Sequence, residues 1–298
     1  MANYTTTDLL SSIRQRGSIP TSSNSANVNN TANLLILATE ELHTSLLPLL
    51  MATRAEFFVA TEPSDQAITA NKATYPIPSR AIGMVVRDVQ IIDGTSIRSL
   101  PEVTSENIST TATGSVQGYY LQHNDVILYP TPALTSGTLR LRYYLRPNRL
   151  AATSDCAVVS AINTSTNVIT VSSIPSTWVT GDIFDIVSHK APYQCRAIDK
   201  TSTTVSGTAI TLASLPSDLV VGDWIALAEY SPIPQVPFEF QPVLAQMTVV
   251  KALEALGDND GVKRAERALD ALQQKALLLV TPRNHGEPKR VVATRWRS

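Results

Sequence analysis

The sequence predicts an α+β protein. N- and C-terminal helices pack together as a helical bundle, with an antiparallel β region and a small repeated β domain inserted between them and an extended C-terminal tail. Three observations lead there. Apolar residues recur at helical spacing near both ends of the 298-residue chain. Between them the period shortens to β-branched and aromatic runs bounded by Gly, Pro, Asn or Asp. Within that middle stretch, Ser173-Ile174-Pro175-Ser176 and Gly181-Asp182-Ile183 return 41 residues later as Ser214-Leu215-Pro216-Ser217 and Gly222-Asp223-Trp224.

The boundaries follow in order. Residues 1–55 hold the first helices. Thr7-Asp8 caps LLSSIRQR and Gly17 ends it, and after a Ser/Asn-rich loop Leu34, Ala38, Leu42 and Leu46 mark a second helix, with Thr31 or Asn30 as cap. Pro48 should kink or split that helix. Residues 56–150 form the β-rich region, whose clearest hairpin is YYLQ-HN-DVILYP with His123-Asn124 as its turn. Residues 151–235 are the inserted repeat domain; two copies suggest a small β-domain with a pseudo-twofold, since a solenoid needs about three or more. The repeated Gly-Asp turns and Pro linkers mark this insert as self-contained. Residues 236–282 return to helix, first Leu244, Val249, Leu253 and Leu256 before Gly257, then Ala265, Leu269, Leu272, Ala276 and Leu279 as an apolar stripe. Pro282, Gly286 and Pro288 keep residues 283–298 from continuing as helix.

Net charge is −1, so general nucleic-acid or membrane affinity is not expected. The distribution is uneven. Residues 283–298 carry five basic residues and one acid, leaving 19 bases and 24 acids in an acidic body. Cys156 and Cys195 allow one bridge at most, and a reducing compartment is the simpler reading. The first residues lack the features of a signal peptide, and no apolar run approaches the roughly 18 residues of a membrane span.

No catalytic constellation emerges. His43, His123, His189 and His285 are scattered, and none forms a metal-ligand pattern with the cysteines. There is no phosphate-cradling loop and no nucleophile elbow. Asp258-Asn259-Asp260-Gly261 lacks the full ligand series of a calcium loop and reads as a helix-joining turn. The expectation is a non-enzyme with no cofactor and no metal.

Two features stand out. In TLRLRYYLR, Arg140, Arg142 and Arg146 share strand parity opposite Leu139, Leu141 and Tyr143. That face is either a solvated one or a charged subunit interface, where Arg suits bidentate carboxylate pairing. The tail is either a frayed terminus or a docking peptide. Docking is favoured by Val291, Val292 and Trp296 set among Arg283, Lys289, Arg290, Arg295 and Arg297, since alternate apolar anchors with flanking charges are how extended peptides bind.

The succession ELHTSLLPLLMATRAEFFVAT, AITANKATYPIPSRAIGMVVRDVQIID, GYYLQHNDVILYPTP, LRLRYYLRPNRL and TPRNHGEPKRVV closely resembles the head-to-tail adaptor (connector) proteins of tailed bacteriophages. The resemblance covers most of the chain in the same order. It implies a structural virion protein of the neck, assembled in the host cytoplasm, which forms a ring, usually of twelve copies, beneath the portal. Such a ring extends the DNA channel and docks the tail or nozzle protein, with the helices in its wall and the C-terminal segment reaching into the portal. On that basis the portal-binding residues fall within Arg283–Ser298, and double-stranded DNA passes without sequence-specific binding. If acids line the channel, the phosphates meet no basic wall. A virion adhesin or carbohydrate-binding tail component would suit the β-rich, Thr/Ser-rich centre, but adhesins usually lack helices at both ends and a basic terminal peptide.

Overall fold

The structure, a computed structural model, describes residues 4–60, 65–104, 112–135 and 137–280. The proposed docking residues Arg283, Lys289, Arg290, Val291, Val292, Arg295, Trp296 and Arg297 lie outside the described residues.

Helix α1 (Thr6–Gly17) is capped by Thr5, two residues before the Thr7 that the sequence suggested. The Asp8 carboxylate accepts from the Thr5 backbone N–H and hydroxyl, both at 2.9 Å, satisfying a first-turn donor. Ser18, not Gly17, takes the left-handed conformation that ends the helix. Gly17 serves a different need: a Cβ there would come within 3.1 Å of Val249, so its absence lets α1 close on helix α4 (Gln241–Leu256).

Helix α2 (Thr31–Glu41) starts at Asn30, whose side chain accepts from the Ala32 N–H. Leu34, Ala38, Leu42, Leu46 and Leu50 are all fully buried at a strict spacing of four. On an ideal helix such a spacing rotates each side chain about 40° past the last. A wider π turn over Leu42–Leu46, closed by the Leu47 N–H on the Leu42 carbonyl, takes that rotation back. Pro48, which has no N–H to give, follows in the first turn of α3 (Leu47–Arg54). The helical run Thr31–Phe58 has the length and apolarity to cross a membrane, unlike the sequence expectation, but its leucines fill the core against α4.

The β part begins with β1 (Val59–Ala60), β2 (Gln66–Ala67), β3 (Thr74–Pro76), β4 (Ala81–Asp93) and β5 (Ser96–Ser99). It continues with β6 (Thr113–Gly114), β7 (Gly118–Gln122), β8 (Asp125–Tyr129), β9 (Thr131–Pro132) and β10 (Thr138–Leu145). One sheet runs β1-β10-β4-β5 with β2 also on β10, a second runs β3-β8-β7, and β6 pairs with β9. Strict alternation on β10 turns Leu139, Leu141 and Tyr143 inward, where they meet Tyr75, Val126 and Leu128 of the second sheet in one apolar core. The β7–β8 hairpin turns on His123-Asn124 as the sequence predicts, with Gln122 paired to Asp125.

After β11 (Arg149–Leu150), the repeat copies supply β12 (Ala157–Asn163), β13 (Val168–Val171) and β14 (Ile183–Val187), then β15 (Cys195–Ser206), β16 (Ala209–Leu212) and β17 (Trp224–Leu227). They close into a six-stranded barrel in the order β12-β13-β16-β15-β14-β17. The third strand of each copy is exchanged. β14 pairs with β15 and β17, and β17 pairs with β12 and β14, so neither pairs within its own copy's hairpin. The repeated turns superimpose in detail: Asp182 accepts the Val179 N–H as Asp223 accepts that of Val220, while Gly181 and Gly222 hold φ of 98° and 97° that only glycine adopts freely. Ile169, Val171, Trp178 and Phe184 share the barrel core with their counterparts Ile210, Leu212, Leu219 and Ile225.

The expected helical bundle is corrected by this architecture. The molecule is mixed helix and strand around a closed barrel, and its helices are not a bundle frame. Helix α4 is buried around most of its surface, with Lys251 and Glu254 exposed near its end, and the core around it takes Phe58 and Leu150 from the β part as well as residues of α1 and α2. Apolar spacing shows that a helix has a covered face; it does not say what covers it. Helix α5 (Asn259–Val280) lies on α4 through Ala265 and Ala276, whereas Leu279, placed on its stripe by spacing, is 67% exposed. Strand β18 (Tyr230–Ser231) returns the chain beside β11 before α4 begins.

Phe184→Ala should cost about 3–5 kcal/mol in denaturant unfolding, because the barrel core cannot collapse around the void. Leu279→Ala should stay within about 0.5 kcal/mol, as expected of an exposed position.

Candidate functional site

The repeat departs from itself at one informative place. Where the second copy has Ala226, the first has Asp185, fully buried inside a strand. A bare carboxylate there would be prohibitively desolvated. Arg80, from the turn that opens β4, answers it: Nη1 donates to Oδ1 at 3.0 Å and Nη2 lies 2.8 Å from Oδ2. Asp185 also accepts from Asn148 Nδ2 at 2.7 Å and from the backbone N–H groups of Asp199 and Glu229. Arg80 further donates to Asp199 at 2.9 Å and to the Asn148 side-chain oxygen at 2.5 Å. Burial by itself would lower the Arg80 pKa, but the hydrogen bonds and charge of Asp185 hold it above the ordinary arginine value. The Asp199 pKa is also raised, there by burial, against the opposing pull of Arg80.

This network joins the first sheet, the segment before β11, and the barrel. It continues through Gln235, which accepts the Asn148 N–H at 2.7 Å and reaches Cys195 Sγ at 3.1 Å. Cys156 and Cys195 are both free thiols, each pushed up to about 12 mainly by burial. Neither is poised for nucleophilic chemistry. A second ionic cluster sits at the repeat's other end, where Asp223 holds both His189 Nδ1 at 2.8 Å and Arg196 Nε at 2.7 Å.

The structure keeps Arg140 and Arg142 on the outward face of β10 and places Arg146 beyond its end. Arg140 makes a bidentate pair with Asp65 of its own chain at 2.8 and 2.5 Å. Arg142 is half-buried and borders a cleft of about 290 Å³ between β10 and the barrel, floored by Phe57, Phe58, Leu145 and Ile198. Arg146 lies past the end of β10, exposed, beside a small pocket shared with His43 and Arg149. His43 has its pKa lowered by burial first, with Arg146 and Arg149 adding to it, while its contact to the Pro147 carbonyl opposes. Strand parity put the three together, but β10 ends at Leu145, and Arg146 follows it outside the strand with its backbone N–H on the Arg80 carbonyl.

Sequence reasoning missed Arg80, Asn148 and Asp185. The available signal was an acid standing where the companion copy of a repeat has alanine. Among the described residues no three His, Cys, Asp or Glu side chains gather as a metal-holding group. Asp258 caps the α4–α5 turn through the Gly261 N–H.

The family pattern of the SU10 adaptor protein matches residues 4–189, more than half of the chain. The chain belongs to the SU10 adaptor protein family. It is a family of phage head–tail adaptors, which gives the chain a structural adaptor role in bacteriophage particles. The match takes in the N-terminal helices, both sheets, Arg80, Asn148 and Asp185, and ends two residues past β14. The second repeat copy, α4, α5 and the tail lie beyond it. No curated protein matches the chain.

Asp185→Ala should destabilise the protein by about 3–5 kcal/mol, since it takes from the buried Arg80 its fully buried counter-charge and leaves only the part-exposed Asp199, and Arg80→Met in the same chain should recover most of the loss. Thiol reagents at pH 8 should leave the buried Cys156 unmodified in the folded protein and label it once the chain is unfolded; fast labelling of Cys156 in the native chain would show an accessible thiolate that its burial forbids.

Proposed function

We propose that the protein is a neck component of a tailed phage that assembles in the host cytoplasm as a ring, usually of twelve copies in such adaptors, beneath the portal. The ring extends the DNA channel and presents a docking surface to a tail or nozzle protein, and the chain contributes no catalysis. The family match over residues 4–189 is the observation that carries this reading. The uneven charge supports it: a net acidic body offers passing DNA few phosphate contacts, so the duplex slides without being held.

In this reading Arg283–Ser298 is the portal-binding segment. Extended, about sixteen residues span at most roughly 50 Å, enough to cross a subunit boundary. Val291, Val292 and Trp296 fill apolar slots while the basic residues pair with portal acids. Ring symmetry multiplies a modest single contact, because each docked copy raises the effective concentration of the next.

Deleting Arg283–Ser298 should leave helix content unchanged by circular dichroism and abolish co-sedimentation with purified portal. Trp296→Ala should weaken that binding more than Arg297→Ala, as a buried anchor outweighs a rim charge. Portal binding by the deleted chain at the full-length level would assign the attachment to another surface.

A further inference from the structure

Three surface groups have chemistry left unanswered within the described chain. Phe238 is 59% exposed, and among the described residues no other Phe or Trp is exposed. Glu239 beside it is exposed too, and neither it nor Arg142 has a side-chain ion-pair partner among the described residues. The Phe238–Glu239 pair is held firmly. Pro237 precedes it, the short 3-10 turn Phe238–Phe240 carries it, and the fully buried Phe240 anchors that turn to the start of α4.

The cleft beside Arg142 is the complementary shape. Its volume of about 290 Å³ falls just short of the roughly 300–1,000 Å³ of small-molecule sites. It suits one aromatic side chain better than a cofactor. Its lining is apolar at Phe57, Phe58, Leu145 and Ile198; Asp218 at its rim is already paired with Arg196, while the half-buried Arg142 guanidinium is the group best suited to hold an incoming carboxylate. Gln235 lines this cleft, but Phe238, three residues later, does not and turns outward from its own chain.

We infer that Phe238 and Glu239 of one copy seat in the cleft of the next copy, with the ring against Phe57, Leu145 and Ile198 and the carboxylate on Arg142. The charges are complementary, and the exposed aromatic meets an apolar slot. Two different patches make a head-to-tail contact, and a head-to-tail contact that closes generates a ring. This deepens the ring reading and rests on it.

The test is self-association of the full-length chain, followed by mass photometry and analytical ultracentrifugation, with circular dichroism confirming that each variant is folded. Phe238→Ala should weaken association about 30-fold, the loss typical of an interface anchor. Arg142→Glu and Glu239→Arg should each prevent ring formation, and the two together in one chain should restore it. A photo-crosslinking residue at position 238 should capture the Phe57–Phe58 or Cys195–Ile198 segment of another copy. If both charge reversals assemble like the wild type, the contact is wrong while the ring stands. A wild type that remains monomeric both alone and on the portal removes the ring reading and this contact together. A particle that stops at two copies, or variants that form rings but lose only the tail-side partner, would also overturn the assignment.

Discussion

The buried pair of Arg80 and Asp185 constrains more of this molecule than any other contact. An ion pair taken out of water returns little net stability, because desolvation cancels most of the Coulombic gain. Its consequence is geometric. Once Asp185 is fixed inside the barrel wall, every lone pair must be met, and the donors come from the β4 turn, Asn148, and the backbone at Asp199 and Glu229. Four chain segments separated widely in sequence must therefore arrive together. A barrel docked in any other orientation would leave a guanidinium and a carboxylate buried and unpaired. Apolar contact alone discriminates poorly between such orientations, since it is non-directional.

That constraint suits a barrel with no edges. Exchange of β14 and β17 between the copies means neither copy can complete its pairing without the other, and closure leaves no open strand to recruit a neighbour. In a protein meant to self-associate, an exposed edge would compete with the intended contact. Within the barrel, closure removes that competitor.

Local rules made much of this visible in the sequence. Asn30, Pro48, Gly257 and the His123-Asn124 turn act through nearby backbone, and alternation on β10 fixes which residues face the core. The repeat was legible because equivalent turns need the same Gly-Asp chemistry at Gly181 and Gly222. Closure was not, since strand exchange leaves the composition of each copy unchanged. The helices misled for a related reason: α4 meets apolar neighbours around most of its surface, and spacing cannot tell a bundle partner from a strand. The junction was hidden because Arg80, Asn148 and Asp185 are ordinary surface types, and only a fold can bring them inside. Asp185 against Ala226 was the one trace of it, visible on aligning the copies residue by residue.

The cleft beside Arg142 is a consequence of how the barrel is held. Its walls are the end of β10 and the start of β15, two elements whose separation is set by the Arg80 network and by Gln194, which donates to the Phe57 carbonyl across the same gap. A loosely tethered barrel would let the cleft open and shut, and a side chain binding there would have to supply the ordering entropy on each encounter. A barrel fixed by a satisfied ionic network keeps the cleft formed in the free chain. A single aromatic and one carboxylate are small beside the roughly 1,200–2,000 Å² of a stable interface. In the proposed ring they would be the specific centre of a repeated contact, in which closure ties every copy to two neighbours and the rest of the surface need only exclude water.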